Sequence, residues 1–217
     1  MLKINILSLF PEFFSIPLQT SILKKAQLLN FIQFNIVNVR DFAQDKHQIT
    51  DEPPYGGGAG MIMKIEPIDL ALKSLKVKKG QKNKLIILTS AKGEQFDQSM
   101  ATSFSKLTEI TIICGHYQDV DARVSQFLID KEVSIGEFIL TGGETASLVM
   151  VDAITRLIPG VLGNPESLVN ESHSNAILSS YPQYTRPENY QGWKVPEILM
   201  SGDHEKIKVW REKNTKQ

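Results

Sequence analysis

A single cysteine, Cys114, occurs in 217 residues, which excludes an internal disulfide and any centre built on several thiolates. Net charge is missing too: 24 Lys and Arg balance 24 Asp and Glu, so a uniformly basic nucleic-acid binder is excluded. No run reaches the roughly 18 consecutive apolar residues of a membrane span, and no membrane role is expected. Met1-Leu2-Lys3 leads into an alternating stretch rather than a basic segment before a long apolar run, so we expect a cytoplasmic protein without a signal peptide. G-x-G-x-x-G is lacking, as is the G-x-S-x-G elbow of serine hydrolases. His47, His116, His173 and His204 are scattered without ligand spacing; each reads as a surface or structural histidine, and no metal site is expected from them. Cys114, in the apolar run Thr111-Ile-Ile-Cys114, reads as buried and not as a nucleophile.

What is present is a globular composition, 41% hydrophobic and 22% charged, with enough length for a sizeable core. The charge is segregated. Lys73, Lys76, Lys78, Lys79, Lys82, Lys84 and Lys92 fall between Leu70 and Gly93 with no acid among them, whereas Glu94 to Glu144 is acid-rich. That lysine run reads as a solvated helix end and loop, with phosphate binding as its rival. Lys3–Leu9 and Phe31–Val39 read as strands, and Leu85–Leu88 and Ile110–Ile113 as short strands buried on both faces. Pro11 suits the first turn of a helix, and Pro67 opens another. Ala146, Val149, Met150, Ala153, Ile154 and Leu157 recur at helical spacing between Gly143 and Ile158, with Pro159-Gly160 as terminator. Asp152 and Arg156, four apart there, read as an ion pair, or Arg156 as a site arginine. A last helix is expected around His204 to Lys213. The class is α/β with a mainly parallel sheet.

Tyr55-Gly-Gly-Gly-Ala-Gly60 suggests a phosphate cradle, but Met61-Ile62-Met63 follows where a P-loop needs Gly-Lys-Ser/Thr. Its glycines report positive φ or a close backbone approach. Gly115, Gly136 and Gly142-Gly143 follow further apolar runs or turns, and glycine turns at several strand ends suggest one pocket at the carboxyl edge of the sheet. Carboxylates and arginines in or beside loops complete the candidates: Asp51, Glu52, Asp119, Asp121, Glu144, Glu171, Arg123, Arg156 and Arg186.

Together, Leu7-Ser-Leu-Phe-Pro-Glu12, Tyr55-Gly-Gly-Gly-Ala-Gly-Met61, Ser134-Ile-Gly-Glu-Phe-Ile-Leu-Thr-Gly-Gly-Glu144, Ile158-Pro-Gly-Val-Leu-Gly163, Tyr184-Thr-Arg-Pro187, Val195-Pro196 and Ser201-Gly202 resemble, in order and spacing, the bacterial tRNA (guanine-37-N1)-methyltransferase family of the knotted SPOUT class. The resemblance spans essentially the whole chain. It implies a deep trefoil knot in the α/β domain, an S-adenosylmethionine-binding domain at 1–162, an interdomain loop at 163–175, and a shortened α-helical tRNA-binding domain at 176–217. It also implies a homodimer with the active site at the interface. S-adenosylmethionine would be held by Ser90, Gly93, Gly115, Ser134, Ile135, Gly136, Glu137, Phe138, Ile139, Leu140, Gly142 and Gly143. Tyr55, Gly57, Gly58, Gln118, Ser172 and Arg186 would contact the tRNA. Glu171, in Asn170-Glu171-Ser172, takes the place of the family's aspartate base, and Arg156 that of its arginine helper.

Several residues depart from the family pattern. Its Gly-Arg-Tyr-Glu-Gly reads Gly115-His-Tyr-Gln-Asp119 here, a cofactor-loop proline is Ala91, and the arginine before Pro-Tyr-Gly-Gly-Gly is Pro53. The family places the acid replaced by Gln118 near the target guanine and a magnesium ion. The expected reaction is S-adenosylmethionine-dependent methylation of N1 of guanine 37 in tRNA. The alternative is a degenerate member that binds cofactor or tRNA with little or no catalysis. A nicotinamide oxidoreductase is disfavoured by the absent G-x-G-x-x-G.

Overall fold

The computed structural model describes residues 1–164, 171–173 and 179–216. Two compact units divide the chain, Met1–Gly163 and Asn164–Gln217. Of the loop expected at 163–175, residues 165–170 and 174–175 lie outside the described residues, as do 176–178 and 217 of the expected C-terminal domain.

In the first unit, β1 (Leu2–Ser8), β2 (Ile32–Asn38), β5 (Lys84–Gln95), β6 (Glu109–Cys114) and β8 (Lys131–Ser134) form one sheet in the order β2-β1-β6-β5-β8. Every neighbouring pair in it is parallel. A second, three-stranded sheet holds β3 (Asp51–Glu52), β4 (Ile62–Met63) and β7 (Asp119–Val120). The helices are α1 (Ser21–Leu28), α2 (Ile65–Ser74), α3 (Gln98–Phe104) and α4 (Gly143–Thr155). β6 is buried at all six positions, as a central parallel strand covered on both faces must be. Two apolar clusters lie on its two sides. One joins Ile4, Ile6, Ile110 and Ile112 to Phe14, Met150 and Ile154; the other joins Leu7, Ile86, Leu88 and Ile113 to Ile68, Leu72 and Val120.

Several element bounds differ from expectation for local reasons. Pro11 starts a short 3-10 turn, Pro11–Phe14, rather than an α-helix. α2 begins two residues before Pro67, since the first-turn positions have no helical acceptor and tolerate the missing N–H. α4 stops at Thr155 rather than Ile158, and Ile158 continues as a turn whose N–H reaches Thr155 O. β5 extends to Gln95, seven residues past the apolar run, because its register on β8 shifts between Thr89 and Glu94 and pairing resumes.

The described part of the second unit holds a hairpin, β9 (Asn189–Tyr190) with β10 (Trp193–Lys194), then α5 (Glu197–Met200) and α6 (His204–Asn214). Asp203 caps α6 by accepting from the Lys206 N–H at 3.1 Å, the ordinary satisfaction of an orphan first-turn donor.

Candidate functional site

The Thr89–Lys92 stretch of β5 and the turns after β6 and β8 meet at the carboxyl edge of the main sheet, where parallel sheets place ligands. They enclose a cleft of about 220 Å³ lined by Thr89–Lys92, Gly115–Val120, Val133–Gly136 and Phe138–Gly143, with Ala146 behind them. The turns are laced to one another. Thr89 Oγ1 donates to Ile113 O and accepts the Gly115 N–H at 3.1 Å, while Gly143 N–H donates to Gly115 O at 2.8 Å.

This lacing explains the glycines. A Cβ on Gly143 would lie 1.9 Å from Thr89 Oγ1 and 2.9 Å from Cys114 Cα, and one on Gly93 would lie 2.5 Å from the backbone of Glu132 and Val133. A Cβ on Gly115 would sit 3.0 Å from Thr89 O. At these positions glycine is required by close approach of the protein's own turns. Tyr55–Gly60 is different. Gly56 and Gly57 have φ of +87° and +80° with nothing within 4 Å of an added Cβ, so conformation alone selects glycine there.

Under the cleft floor lies a polar corner. Glu144, at the start of α4, is 6% exposed, and its Oε1 accepts the Ser8 hydroxyl at 2.7 Å. The Oε2 atom lies 4.0 Å from His116 Nδ1, and Nδ1 itself is buried without a hydrogen-bond partner. The imidazole is flanked by Phe10 and Tyr117, with ring centroids at 5.0 and 4.9 Å. Next to this corner, burial foremost and the Glu144 carboxylate second push the Cys114 thiol far up, so it stays protonated and unreactive. At the cleft mouth Lys92 Nζ and Asp119 Oδ2 pair at 2.8 Å; the hydrogen bond to Asp119 raises the lysine above its ordinary value.

Of the residues expected to hold the cofactor, Ser90, Gly115, Ser134, Ile135, Gly136, Phe138, Ile139, Leu140, Gly142 and Gly143 line this one cleft, whereas Gly93 and Glu137 do not. Among the expected tRNA contacts, Gln118 lines it. Tyr55, fully exposed, and Gly57 and Gly58 sit outside it in the loop between β3 and β4. That loop reaches the cleft wall through Gln118, whose N–H donates to Met61 O at 3.1 Å and whose side chain abuts Gly60. Arg156 caps the end of α4 in the first unit. Glu171, Ser172 and Arg186 belong to the second, where the Ser172 hydroxyl accepts the Ser180 N–H at 3.0 Å. His116, which the sequence presents as a surface or structural histidine, lines the cleft. Its approach to Glu144 comes from two distant turns, and no local spacing signals it.

Much of the lysine run is engaged within the protein: Lys73 with Asp69, Lys84 with Glu109, Lys92 with Asp119, and Lys79 with Gln126 O. Among the described residues no group of three His, Cys, Asp or Glu gathers as a metal site, and no helix is long and apolar enough to cross a membrane.

The family model described as tRNA (Guanine-1)-methyltransferase TrmD matches residues 2–217. Proteins named tRNA (guanine-N(1)-)-methyltransferase are similar along almost the full chain. The one from Carboxydothermus hydrogenoformans is 49% identical over 99% of this chain and 83% of its own length. That from Dictyoglomus turgidum is 49% identical over 98% and 84%, and that from Geotalea uraniireducens 46% identical over 99% and 85%.

Proposed function

This chain belongs to the TrmD family of tRNA (guanine-1)-methyltransferases, and from that premise we propose that it methylates N1 of guanine 37 in tRNA with S-adenosylmethionine as donor. The observation that carries the reading is the convergence of three glycine-bearing turns on one cleft, in a chain whose relatives act on guanine N1. The residues present suit a nucleoside-like donor: Ser90, Ser134 and backbone groups supply polar contacts. Phe138, Ile139 and Leu140, 54%, 82% and 40% exposed, offer an apolar wall for a purine. When bound, S-adenosylmethionine supplies an electrophilic methyl group on a sulfonium.

The chain's own task is then small. The guanine N1 proton must be accepted and the charge growing on O6 neutralised. Glu171 is assigned the proton and Arg156 the charge. The same reading takes the protein as a cytoplasmic homodimer sharing its site, supported by the exposed apolar residues at the cleft rim and by Val149, 46% exposed on α4. It takes the laced turns as a trefoil knot, supported by the resumed pairing of β5 on β8 and the Gly143-to-Gly115 bond. It takes 1–162 as the cofactor domain, 163–175 as linker and 176–217 as a tRNA-binding domain. Tyr55, Gly57, Gly58, Gln118, Ser172 and Arg186 are assigned to the tRNA, and Lys76, Lys78, Lys82, Arg211 and Lys213 offer phosphate contacts that weaken steeply with salt. For magnesium, the described residues provide no cluster of three acidic, histidine or cysteine ligands, and Gln118 is a neutral ligand at best.

The test is transfer of labelled methyl to a transcript carrying guanine 37, beside a guanine-to-adenine control. No transfer, or equal transfer to the control, sinks the reading. Tight donor binding by calorimetry without transfer to any tRNA would instead establish a binding protein. Glu171→Gln is expected to abolish turnover while donor affinity is retained.

A further inference from the structure

The orphan nitrogen of His116 is the feature of the cleft that the reaction as described leaves unused. Its Nδ1 is buried and makes no hydrogen bond, and the Oε2 atom of Glu144 stands 4.0 Å away. A lone pair on Nδ1 facing that carboxylate would be repelled, so the hydrogen of the neutral ring resides on Nδ1. Glu144 cannot swing away easily, since Ser8 holds its other oxygen at 2.7 Å and only 6% of the residue is exposed. Phe10 and Tyr117 fix the ring plane. The side chain retains 21% of its surface and lines the cleft. With Nδ1 buried, the accessible edge is the one bearing Nε2, and in this tautomer Nε2 is a bare acceptor.

An oriented acceptor in the cleft needs a donor from the ligand. Two other acceptors on the same walls are engaged within the protein, Asp119 by Lys92 and Thr89 by the Gly115 N–H. Guanine presents an acceptor at O6 and donors at N1 and the exocyclic N2 amine. With N1 and O6 assigned to Glu171 and Arg156, the amine is the group without a partner. We propose that His116, oriented by Glu144, is a specificity-determining residue whose Nε2 accepts a hydrogen bond from the N2 amine of the target guanine. The inference rests on the methyltransferase reading above and deepens it. No proton is transferred in this contact; discrimination arises because a purine without the amine leaves Nε2 desolvated and unpaired.

Single-turnover methyl transfer to two transcripts tests it, one carrying guanine 37 and one inosine 37, which lacks only the amine. The wild-type protein is expected to react about 10- to 100-fold more slowly with inosine, the range set by leaving one buried acceptor unpaired. His116→Phe, which keeps ring stacking but has no acceptor, is expected to treat both transcripts alike, at the inosine rate, with donor affinity by calorimetry unchanged. His116→Gln, whose amide oxygen restores an acceptor, should recover part of the preference, a recovery a purely structural role would not produce. Equal wild-type rates on the two transcripts overturn the proposal. So does a full guanine preference in the Phe variant, or a loss of donor affinity there in place of the preference. Failure of the wild type on guanine 37 itself would overturn the methyltransferase reading; a preserved guanine rate with no inosine penalty removes only the role of His116.

Discussion

Two carboxylates are buried at opposite edges of the same sheet, and they are treated differently. Glu109, at the amino end of β6, is 8% exposed and saturated: Asn5 Nδ2 donates at 2.9 Å, Lys84 Nζ lies at 2.6 Å and Lys3 Nζ at 3.3 Å. The two lysines stand opposite it in register on β1 and β5. Burial alone would raise its pKa, but the bonds from Lys84, Asn5 and Lys3 outweigh that and leave it below the ordinary value. Glu144, at the carboxyl edge, is as buried but has the Ser8 hydroxyl and a histidine nitrogen still 4.0 Å off. A fully partnered buried charge stabilises the fold, whereas an under-partnered one beside a cleft is free to order a ligand-facing group. On the proposed reading, the amino edge of the sheet serves stability and the carboxyl edge chemistry.

The largest effect on stability should come from emptying the saturated corner. Glu109→Ala leaves Lys3, Lys84 and Asn5 without their shared acceptor; with both lysines about one-third exposed, the cost should be about 2–3 kcal/mol, below the full penalty of a broken buried pair. The melting temperature should fall by about 5–10 °C, while the single-turnover rate on guanine 37 at low temperature stays unchanged. A melting temperature equal to the wild type would remove the contrast between the two edges.

The same corner should show itself in acid. Because the folded-state pKa of Glu109 is lowered from 4.5, its contribution to stability is complete above that ordinary value and disappears as pH falls through the depressed one. Denaturant midpoints measured downward from about pH 6 should therefore drop more steeply for the wild type than for Glu109→Gln below about pH 4.5. Comparing the two proteins isolates Glu109 from Asp121 and Asp203, whose bonds to Arg123 and Lys206 also lower their pKa. Parallel curves would refute the assignment.

How much of this was legible beforehand follows from the range of the interactions. The strands β1, β2 and β6 and the helix α4 were readable because their signal, apolar periodicity, is local. The second half of β5 was not: Ser90-Ala-Lys-Gly-Glu-Gln95 is polar and largely exposed, so nothing in its composition announces that it pairs again with β8. The glycine turns Gly115, Gly136 and Gly142-Gly143 were correctly suspected of sharing a pocket, while the richer Tyr55–Gly60 loop lies outside it. A glycine in sequence does not say whether positive φ or the missing Cβ is what matters. The buried Glu109 and the His116–Glu144 corner were invisible for a different reason: each joins residues from separate strands or turns, and charge counts carry no information about which acid meets which base.

A smaller stability effect, with a larger effect on selectivity, is expected at Gly142. Its φ of −165° is open to any residue, but an added Cβ would lie 2.4 Å from Glu144 Oε2 and 2.5 Å from His116 Nδ1. Both contacts are with side-chain ends rather than backbone, and parting them against the hold of Ser8, Phe10 and Tyr117 should make Gly142→Ala cost about 1–2 kcal/mol. Parting the carboxylate from the imidazole releases the ring, and the preference for guanine over inosine should shrink with it. An undiminished preference would show that the corner does not orient the ring.

Glu144→Gln should disturb stability least and separate the two carboxylates most sharply. The amide oxygen can still accept from Ser8, so the change in unfolding free energy should stay within about 1 kcal/mol, in contrast to Glu109→Ala. With that oxygen held by Ser8, the amide NH2 faces His116 Nδ1 and favours a lone pair there. The ring hydrogen is thereby driven to Nε2, as when a neutral amide replaces the orienting carboxylate of a catalytic triad. The acceptor at the cleft becomes a donor that opposes the guanine amine but not the bare C2–H of inosine. Single-turnover rates should therefore fall at least about tenfold on guanine 37 and much less on inosine 37, removing or reversing the wild-type preference. A variant that keeps the wild-type ratio, with melting unchanged, would show that Glu144 is a second structural carboxylate and that the two edges of the sheet do not differ in kind.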